Sequence, residues 1–259
     1  MRWLFAAVLA SVAATSAPVL AAEVVFLGER HDNPHHHAWQ AEQVAEIAPR
    51  AVVYEMLTPD HAAQVTPELV ARQDDLQAAL EWEARGWPDF AMYHPIFVAA
   101  PQARVYGAAV PREAARAAMS DVVAAFGDDA ARFGLADPLP APQQAEREAM
   151  QQAAHCNALP EEMLPMMVSV QRLRDAELAR AAEQAFRDTG GPVVVITGNG
   201  HARTDWGAPV ALRLAAPDIP IRALGAGEPD APPAGVFDAT VTFPTIERGD
   251  PCEAFRNRD

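Results

Sequence analysis

The sequence predicts an α/β protein with a mixed, largely parallel sheet flanked by helices and an inserted helical subdomain at about residues 112–190. Short, apolar runs rich in β-branched residues lie towards both ends of the chain. Segments with helical spacing separate the first runs, which indicates βαβ units and parallel strands. The middle of the chain is rich in Ala, Gln and Glu and has no strand-like run.

Six strands and four further helical segments are predicted outside the insertion. Strands are expected at residues 23–27, 51–54, 103–107, 191–197, 219–224 and 236–241. Helices are expected at 35–47, at 59–82 with an interruption at Pro67, over part of 87–100, and near 210–216. The helical insertion lies between the third and fourth strands.

The N-terminus has the pattern of a secretory signal peptide. Arg2 precedes an apolar run at residues 4–14, and Val19-Leu20-Ala21 resembles a cleavage site. The apolar run is shorter than the ~20 residues that a membrane-spanning helix needs. We therefore expect a signal peptide at 1–22, a single mature domain at 23–259, a periplasmic or secreted location, and no transmembrane anchor.

Composition limits the partners. The 259 residues are 50% hydrophobic, which is enough for a large core, and the formal net charge is −15. Binding to nucleic acid normally requires a basic surface, so this class of partner is excluded. Because exported proteins meet an oxidising compartment, Cys156 and Cys252 are predicted to form a disulfide, the alternative being two buried thiols.

Two similar turns carry the candidate chemistry. Gly28-Glu29-Arg30-His31 follows the first predicted strand, and Gly198-Asn199-Gly200-His201 follows the fourth. Parallel strands deliver their carboxyl ends to one edge of a sheet, where ligands bind. Glu55 follows the second strand and should reach the same edge. Four residues are therefore predicted to share one pocket there: Glu29, His31, Glu55 and His201.

This set of side chains suits two kinds of chemistry. His31, His201 and Glu55 are ligand types that can hold a divalent metal and activate water. Without a metal, a Glu–His pair among the four can act as a general base, with Arg30 or Arg203 steadying an anion. Glu29, His31, Glu55 and His201 are accordingly the candidate catalytic residues, should the protein be an enzyme.

Longer segments around these turns carry a family resemblance. LGERHDNPHHHAWQ at 27–40 and TGNGHARTDWGAPVAL at 197–212 resemble the opening and closing signatures of the ChaN-like haem-binding family. Weaker likenesses are YHPIF at 93–97, His155-Cys156 and QRLRD at 171–175. The resemblance implies an α/β core with a helical insertion, haem binding, and a homodimer with two haems stacked face to face. The family's superfamily includes TraB-like proteins, Tiki-type metalloproteases and erythromycin esterases.

Haem needs an apolar slot, an axial ligand and partners for its propionates. Tyr93 is the preferred axial candidate, with simple packing as its alternative, and His94 and His155 are further candidates. Asn199, with Arg30 and Arg203 at the propionates, completes the predicted haem-binding set. No C-x-x-C-H motif is present, so haem should be bound non-covalently.

Three functions remain open from the sequence. The first is periplasmic haem binding in uptake, storage or transfer. The second is a metal-dependent or Glu/His-type hydrolase, as the wider superfamily implies. The third is an interaction scaffold, against which the retained set of Glu29, His31, Glu55 and His201 counts.

Overall fold

A computed structural model describes residues 23–250, 252 and 253; the predicted signal peptide lies outside the described residues. The core is a six-stranded sheet in the order β3-β2-β4-β1-β5-β6, and all five strand pairings are parallel. The α/β prediction is confirmed, although the expected mixed character is replaced by a parallel sheet. The strands are β1 (Val24–Glu29), β2 (Ala51–Tyr54), β3 (Arg104–Gly107), β4 (Val193–Gly198), β5 (Ile221–Gly227) and β6 (Ala239–Thr242).

Helices cover both faces of this sheet. The first begins where local sequence favours it: Pro34 occupies the first turn, and the Asn33 side chain accepts a hydrogen bond from the His35 amide. The helices are α1 (Pro34–Ile47), α2 (Pro59–Ala62), α3 (Pro67–Val70), α4 (Gln73–Ala79), α5 (Phe90–Ala99), α6 (Arg112–Ala118), α7 (Val122–Phe126), α8 (Ala141–Ala154), α9 (Leu164–Thr189), α10 (Asn199–Ala202) and α11 (Ala208–Ala215), with a 3₁₀ turn at Glu161–Met163.

Successive residues of a strand point to opposite faces of the sheet, and each face has its own hydrophobic core. On one face, Phe26 and Val195 pack against residues of α9 and α11. On the other, Leu27 and Ile196 pack among the aromatic residues that include Phe90 of α5. The central strands β1 and β4 are buried throughout, so the sheet's carboxyl edge is a rigid support for the residues that follow it.

The segment 112–190 contains α6 to α9 and the 3₁₀ turn joined by loops, and the structure describes all of it without a strand. Its last helix, α9, is not an addition to the core, however. Leu173 and Ala176 of α9 pack against the sheet in the same core as Val53 of β2. This helix is therefore the crossover that links β3 to β4, and the added part of the chain is the shorter stretch from α6 to the 3₁₀ turn.

The C-terminal tail is joined to this added part by the Cys156–Cys252 disulfide, as the sequence predicted. The bridge links residues 96 positions apart, and Cys156 comes shortly after the end of α8. Among the described residues, no helix has the length and apolar character needed to cross a bilayer.

Candidate functional site

The two Gly-x-x-His turns meet because their strands are neighbours. β1 and β4 pair in register, with Glu29 opposite Gly198. The His31 ring consequently lies against the Gly198 backbone, where a Cβ atom would come within 2.9 Å of His31 Nε2. A side chain at 198 would therefore have to displace the His31 ring. Glu29, His31, Glu55 and His201 therefore lie at one edge of the sheet, but of the four only His201 lines the pocket described below.

Glu29 is the centre of the first cluster. Its side chain is fully buried, and Oε1 accepts hydrogen bonds from His31 Nδ1 at 2.7 Å and from the Tyr93 hydroxyl at 2.9 Å. His37 Nδ1 lies 2.9 Å from Oε2, although its better-aligned hydrogen-bond partner is Gln40 Oε1 at 3.2 Å. A buried carboxylate is costly without partners, and two imidazoles with a phenol compensate this one.

The charges of this cluster are mutually stabilised. Burial on its own raises the pKa of Glu29, but the His31 and His37 partners outweigh it and lower the pKa to about 2. Burial lowers the pKa of His31, yet the Glu29 hydrogen bond and the Glu55 charge raise it to about 9. At neutral pH the first cluster is therefore a carboxylate–imidazolium pair.

Glu55 lies between the two turns. Its Oε2 accepts hydrogen bonds from the Thr197 hydroxyl at 2.6 Å and the Gly198 amide at 2.8 Å. Its Oε1 is 3.8 Å from His201 Nε2, which is an ion-pair distance. Although burial raises the pKa of Glu55, the two histidines His201 and His31 lower it further than that, so the carboxylate is charged.

A second carboxylate–histidine pair lies behind His201. Asp175, on the buried side of α9, accepts a 2.7 Å hydrogen bond from His201 Nδ1. Burial lowers the pKa of His201, but Glu55 and Asp175 together raise it above its ordinary value. Burial raises the pKa of Asp175 more than the His201 bond lowers it. Sequence reasoning gave Asp175 no role, and its only signal was membership of the QRLRD segment.

A pocket of about 190 Å³ opens beside His201. We call it the His155 pocket. Its walls come from α8, the first half of α9 and the β4 turn, and they combine apolar side chains with two imidazoles. The lining residues are Arg147, Met150, Gln151, Ala154, His155, Val168, Gln171, Asp175, Gly200, His201 and Trp206.

His155 and His94 have different surroundings. His155, the C-cap of α8, lines the pocket and directs Nδ1 to the Gln151 carbonyl at 2.8 Å. This bond fixes the orientation of the imidazole in the pocket wall. His94 instead directs Nε2 to the Val70 carbonyl at 2.8 Å and packs on Phe90, away from the residues that form the pocket.

Tyr93 and Asn199 are held by internal hydrogen bonds. Tyr93 is fully buried, and burial with the neighbouring Glu29 charge raises the pKa of its hydroxyl far above 10. A phenolate ligand at this position would require both the Glu29 bond and the buried packing to change. Asn199 spans to β5, where its amide donates to and accepts from the Ala226 backbone.

The two predicted anion-binding arginines also differ. Arg203 is buried, pairs with Asp205 through two guanidinium nitrogens, and stacks on Trp206 at 3.4 Å. Its charge is consequently compensated inside the protein. The Arg30 side chain is 40% exposed, and its Nη1 lies 3.9 Å from Glu228 Oε2. Arg147, which sequence reasoning did not single out, is the arginine that lines the His155 pocket.

The predicted metal set is spread along the edge. Within residues 23–250, 252 and 253, no three His, Cys, Asp or Glu side chains are arranged to hold a metal ion. His201 and Glu55 are neighbours, but each already has partners of its own in Asp175, Thr197 and the Gly198 amide. The geometry supports a network of ion pairs more directly than a metal centre.

Fold and site together define a class: a parallel α/β protein with paired acidic and imidazole groups at the carboxyl edge of the sheet and a helical wall above them. The chain belongs to the haem-binding uptake family of the Tiki superfamily that is typified by ChaN, whose family model matches residues 16–212. The family identified from the sequence is thereby confirmed.

The fold is shared with a solved structure. ChaN of Campylobacter jejuni, described with cofacial haem, superposes with a TM-score of 0.62 at 18% identity, over 81% of this chain and 83% of that one. The type III effector HopBA1 gives a TM-score of 0.42 at 14% identity, over 80% of this chain and 78% of that one. No curated protein sequence matches this chain.

Proposed function

We propose that this protein binds haem non-covalently in the His155 pocket and acts in haem uptake, storage or transfer in the periplasm. The observation that carries the proposal is the composition of this pocket in a chain of the haem-binding uptake family. Met150, Val168 and Trp206 give an apolar surface, while His155 and His201 supply imidazoles. These are the features that a porphyrin and its iron require.

The size of the pocket bears on how haem would be held. Its volume of about 190 Å³ is below the roughly 300–1,000 Å³ of pockets that enclose a whole organic ligand. A porphyrin seated here would leave one face uncovered. A second haem, or a second copy of the chain, is the natural cover, and we propose a haem-dependent homodimer on this basis. Sedimentation with and without hemin tests it: a monomer in both states would contradict the dimer.

Titration with hemin tests haem binding itself. We expect a Soret band that shifts and sharpens as the mature protein is saturated, and a much weaker one in His155→Ala. His94→Ala is the matched control, since His94 is also a part-buried histidine bonded to a backbone carbonyl but lies outside the pocket. Equal hemin binding by the two variants would show that His155 is not the iron ligand. No Soret change in the unmodified protein would contradict haem binding.

Periplasmic location is tested separately. When the full-length chain is expressed in a Gram-negative host, we expect the product in the periplasmic fraction with its N-terminus near residue 22 or 23. Retention in the cytoplasm with the N-terminal segment intact would contradict this part of the proposal without affecting haem binding.

The two carboxylate–histidine pairs support a second candidate, a Glu/His-type hydrolase. Glu29–His31 and Asp175–His201 lie on either side of Glu55, and such pairs can hold or transfer protons. The pKa of His31 near 9 keeps that imidazole protonated at neutral pH, so it would act as an acid or a cation and not as a base. Ester hydrolysis that disappears in both His31→Ala and Glu55→Ala, assayed with and without divalent metal, would favour this candidate over haem binding.

A further inference from the structure

A second pocket of about 220 Å³ lies on the other side of Arg147 and Trp206 from the His155 pocket. We call it the Arg172 pocket. Phe133 and Leu135, from the segment between α7 and α8, form one wall, and Val210 and Ala211 of α11 form another. Leu214, 59% exposed, is at its margin. The two pockets share only Arg147, Asp175 and Trp206.

The walls of the Arg172 pocket are largely apolar, and its polar lining combines two guanidinium groups with Gln143 and the carboxyl residues Asp137 and Asp175. Arg172 Nη2 donates to the carbonyls of Gly134 and Asp137, at 2.7 and 2.8 Å, which fixes the arginine against this wall. Both of these partners are neutral carbonyl groups. The positive charge of Arg172 is therefore held in place by hydrogen bonds without being neutralised by them.

Arg147 is the second cation, and its hydrogen bonding is incomplete. The residue is 91% buried, and Nη2 donates to the Trp206 carbonyl at 3.1 Å. Nη1 lies 3.9 Å from Asp175 Oδ2, too far for a hydrogen bond, and Asp175 already accepts one from His201. Among the described residues, Arg147 Nε has no hydrogen-bond partner at all. Nε has almost no accessible surface, so a ligand in the pocket could accept only from the Nη1 or Nη2 groups of this guanidinium.

The balance of charge points in the same direction. Burial lowers the pKa of both arginines, and Asp175 only partly offsets this for either of them. Asp137, the other acid at this pocket, has an exposed side chain. In a protein with a net charge of −15, this is a local concentration of under-compensated positive charge next to an apolar cavity.

We propose that the Arg172 pocket binds a small organic carboxylate, its apolar body lying between α11 and the α7–α8 segment and its carboxylate accepting hydrogen bonds from Arg147 and Arg172. A guanidinium N–H donates a stronger hydrogen bond to a carboxylate than to a neutral acceptor, and the apolar walls select an anion with a hydrocarbon body over inorganic ions. The volume corresponds to roughly seven waters at about 30 Å³ each, which suits a single ring or a short chain. This inference does not depend on haem binding.

Benzoate is the probe, and benzamide is its neutral isostere. We expect calorimetry on the mature protein to show saturable benzoate binding at least tenfold tighter than benzamide binding, since a hydrogen bond to a charged group contributes roughly 1.5–3 kcal/mol and about 1.4 kcal/mol is a factor of ten. Equal affinities, or no benzoate binding to the folded protein, would overturn the proposal.

Variants then test which of the two pockets benzoate occupies. Arg172→Gln should abolish benzoate binding, and Val210→Phe, which fills the cavity without altering a charge, should do the same if Arg172→Gln proves unstable. Both residues line only the Arg172 pocket, whereas His155 lines only the other. His155→Ala should therefore retain benzoate binding. Loss of benzoate binding in His155→Ala with retention in Val210→Phe would show that the carboxylate occupies the His155 pocket and would overturn the assignment.

Discussion

At the scale of single residues, the fold gives several side chains partners that are remote in sequence. Tyr93 is an example: its phenol is 64 positions from Glu29, yet it donates to that carboxylate inside the core. Its ring packs against those of His37 and Trp82. These contacts make Tyr93 a support for the Glu29–His31 pair.

Tyr93→Phe should consequently destabilise the protein. The change removes one donor from a fully buried carboxylate, and losing such a bond costs roughly 1.5–3 kcal/mol. Urea unfolding measures this loss. Tyr106→Phe is the matched control, because Tyr106 donates at 2.8 Å to Asp188, whose side chain is 32% exposed, so that water can replace the phenol there. If the control lost as much stability as Tyr93→Phe, burial of the acceptor would not be the deciding factor.

Glu228 gives the protein a defined response to acid. Glu228 is buried, and it accepts hydrogen bonds from Arg248 and Asn33. The Arg248 bond lowers the pKa of Glu228 most, burial raises it, and the Asn33 bond lowers it again, so that the pKa falls from 4.5 to about 2. A carboxyl whose folded pKa is depressed stabilises the fold above its unfolded pKa, and this stabilisation is lost as the pH falls. Glu228 should therefore contribute fully above pH 4.5 and progressively less towards pH 2.

Replacing Glu228 tests this dependence. In Glu228→Gln the free energy of unfolding should be lower at pH 7 and should change less between pH 4.5 and pH 2 than in the unmodified protein. Chemical unfolding at a series of pH values gives both quantities. Parallel curves for the two proteins would mean that Glu228 does not titrate in this range.

At the scale of elements, the turn after β4 is the feature on which the site depends. Gly198 lies against His31, and a Cβ atom there would also approach Glu55 Oε2 to 3.8 Å. Gly200, two residues later in the same turn, has nothing within 4 Å of the corresponding position among the described residues. The two glycines thus form a natural pair for comparison.

Gly198→Ala should cost about 1–3 kcal/mol of stability, the usual effect of overpacking a close contact, and should displace the His31 ring. Gly200→Ala should be nearly neutral. Thermal unfolding measures the first effect, and the NMR shift of the His31 ring measures the second. An unchanged His31 signal in Gly198→Ala would show that the turn can relax without moving the imidazole.

At the scale of the whole molecule, the Cys156–Cys252 disulfide fixes the C-terminal tail to the end of α8, next to His155. Closing a loop of 96 residues should stabilise the folded state by roughly 4–5 kcal/mol in the chain-entropy model, because the crosslink restricts the unfolded chain.

A Cys156→Ser/Cys252→Ser double variant should show this loss in urea unfolding, and the unmodified protein should show it on adding reductant. The double variant should not respond to reductant, which separates the crosslink from other effects of the reagent. A double variant as stable as the oxidised protein would contradict the prediction.

Local sequence was enough for most of the fold. Strands such as β2 and β4 are short apolar runs that end at glycine or glutamate, and their boundaries follow from burial on both faces of a parallel sheet. The same reasoning located Glu29, His31, Glu55 and His201 at one edge, because every parallel strand ends there. The family and the disulfide were also accessible from the sequence.

What the tertiary structure alone decided is how those residues are paired. Asp175 is 26 positions from His201, and Arg147 is 59 from the Trp206 carbonyl, so neither contact has a periodic or local signature. They arise from how α8 and α9 pack above the sheet, and packing of helices depends on shape and burial over the whole surface. For the same reason the sequence could nominate Arg203 and Tyr93 but not show that both are buried against internal partners, while His155 faces a pocket.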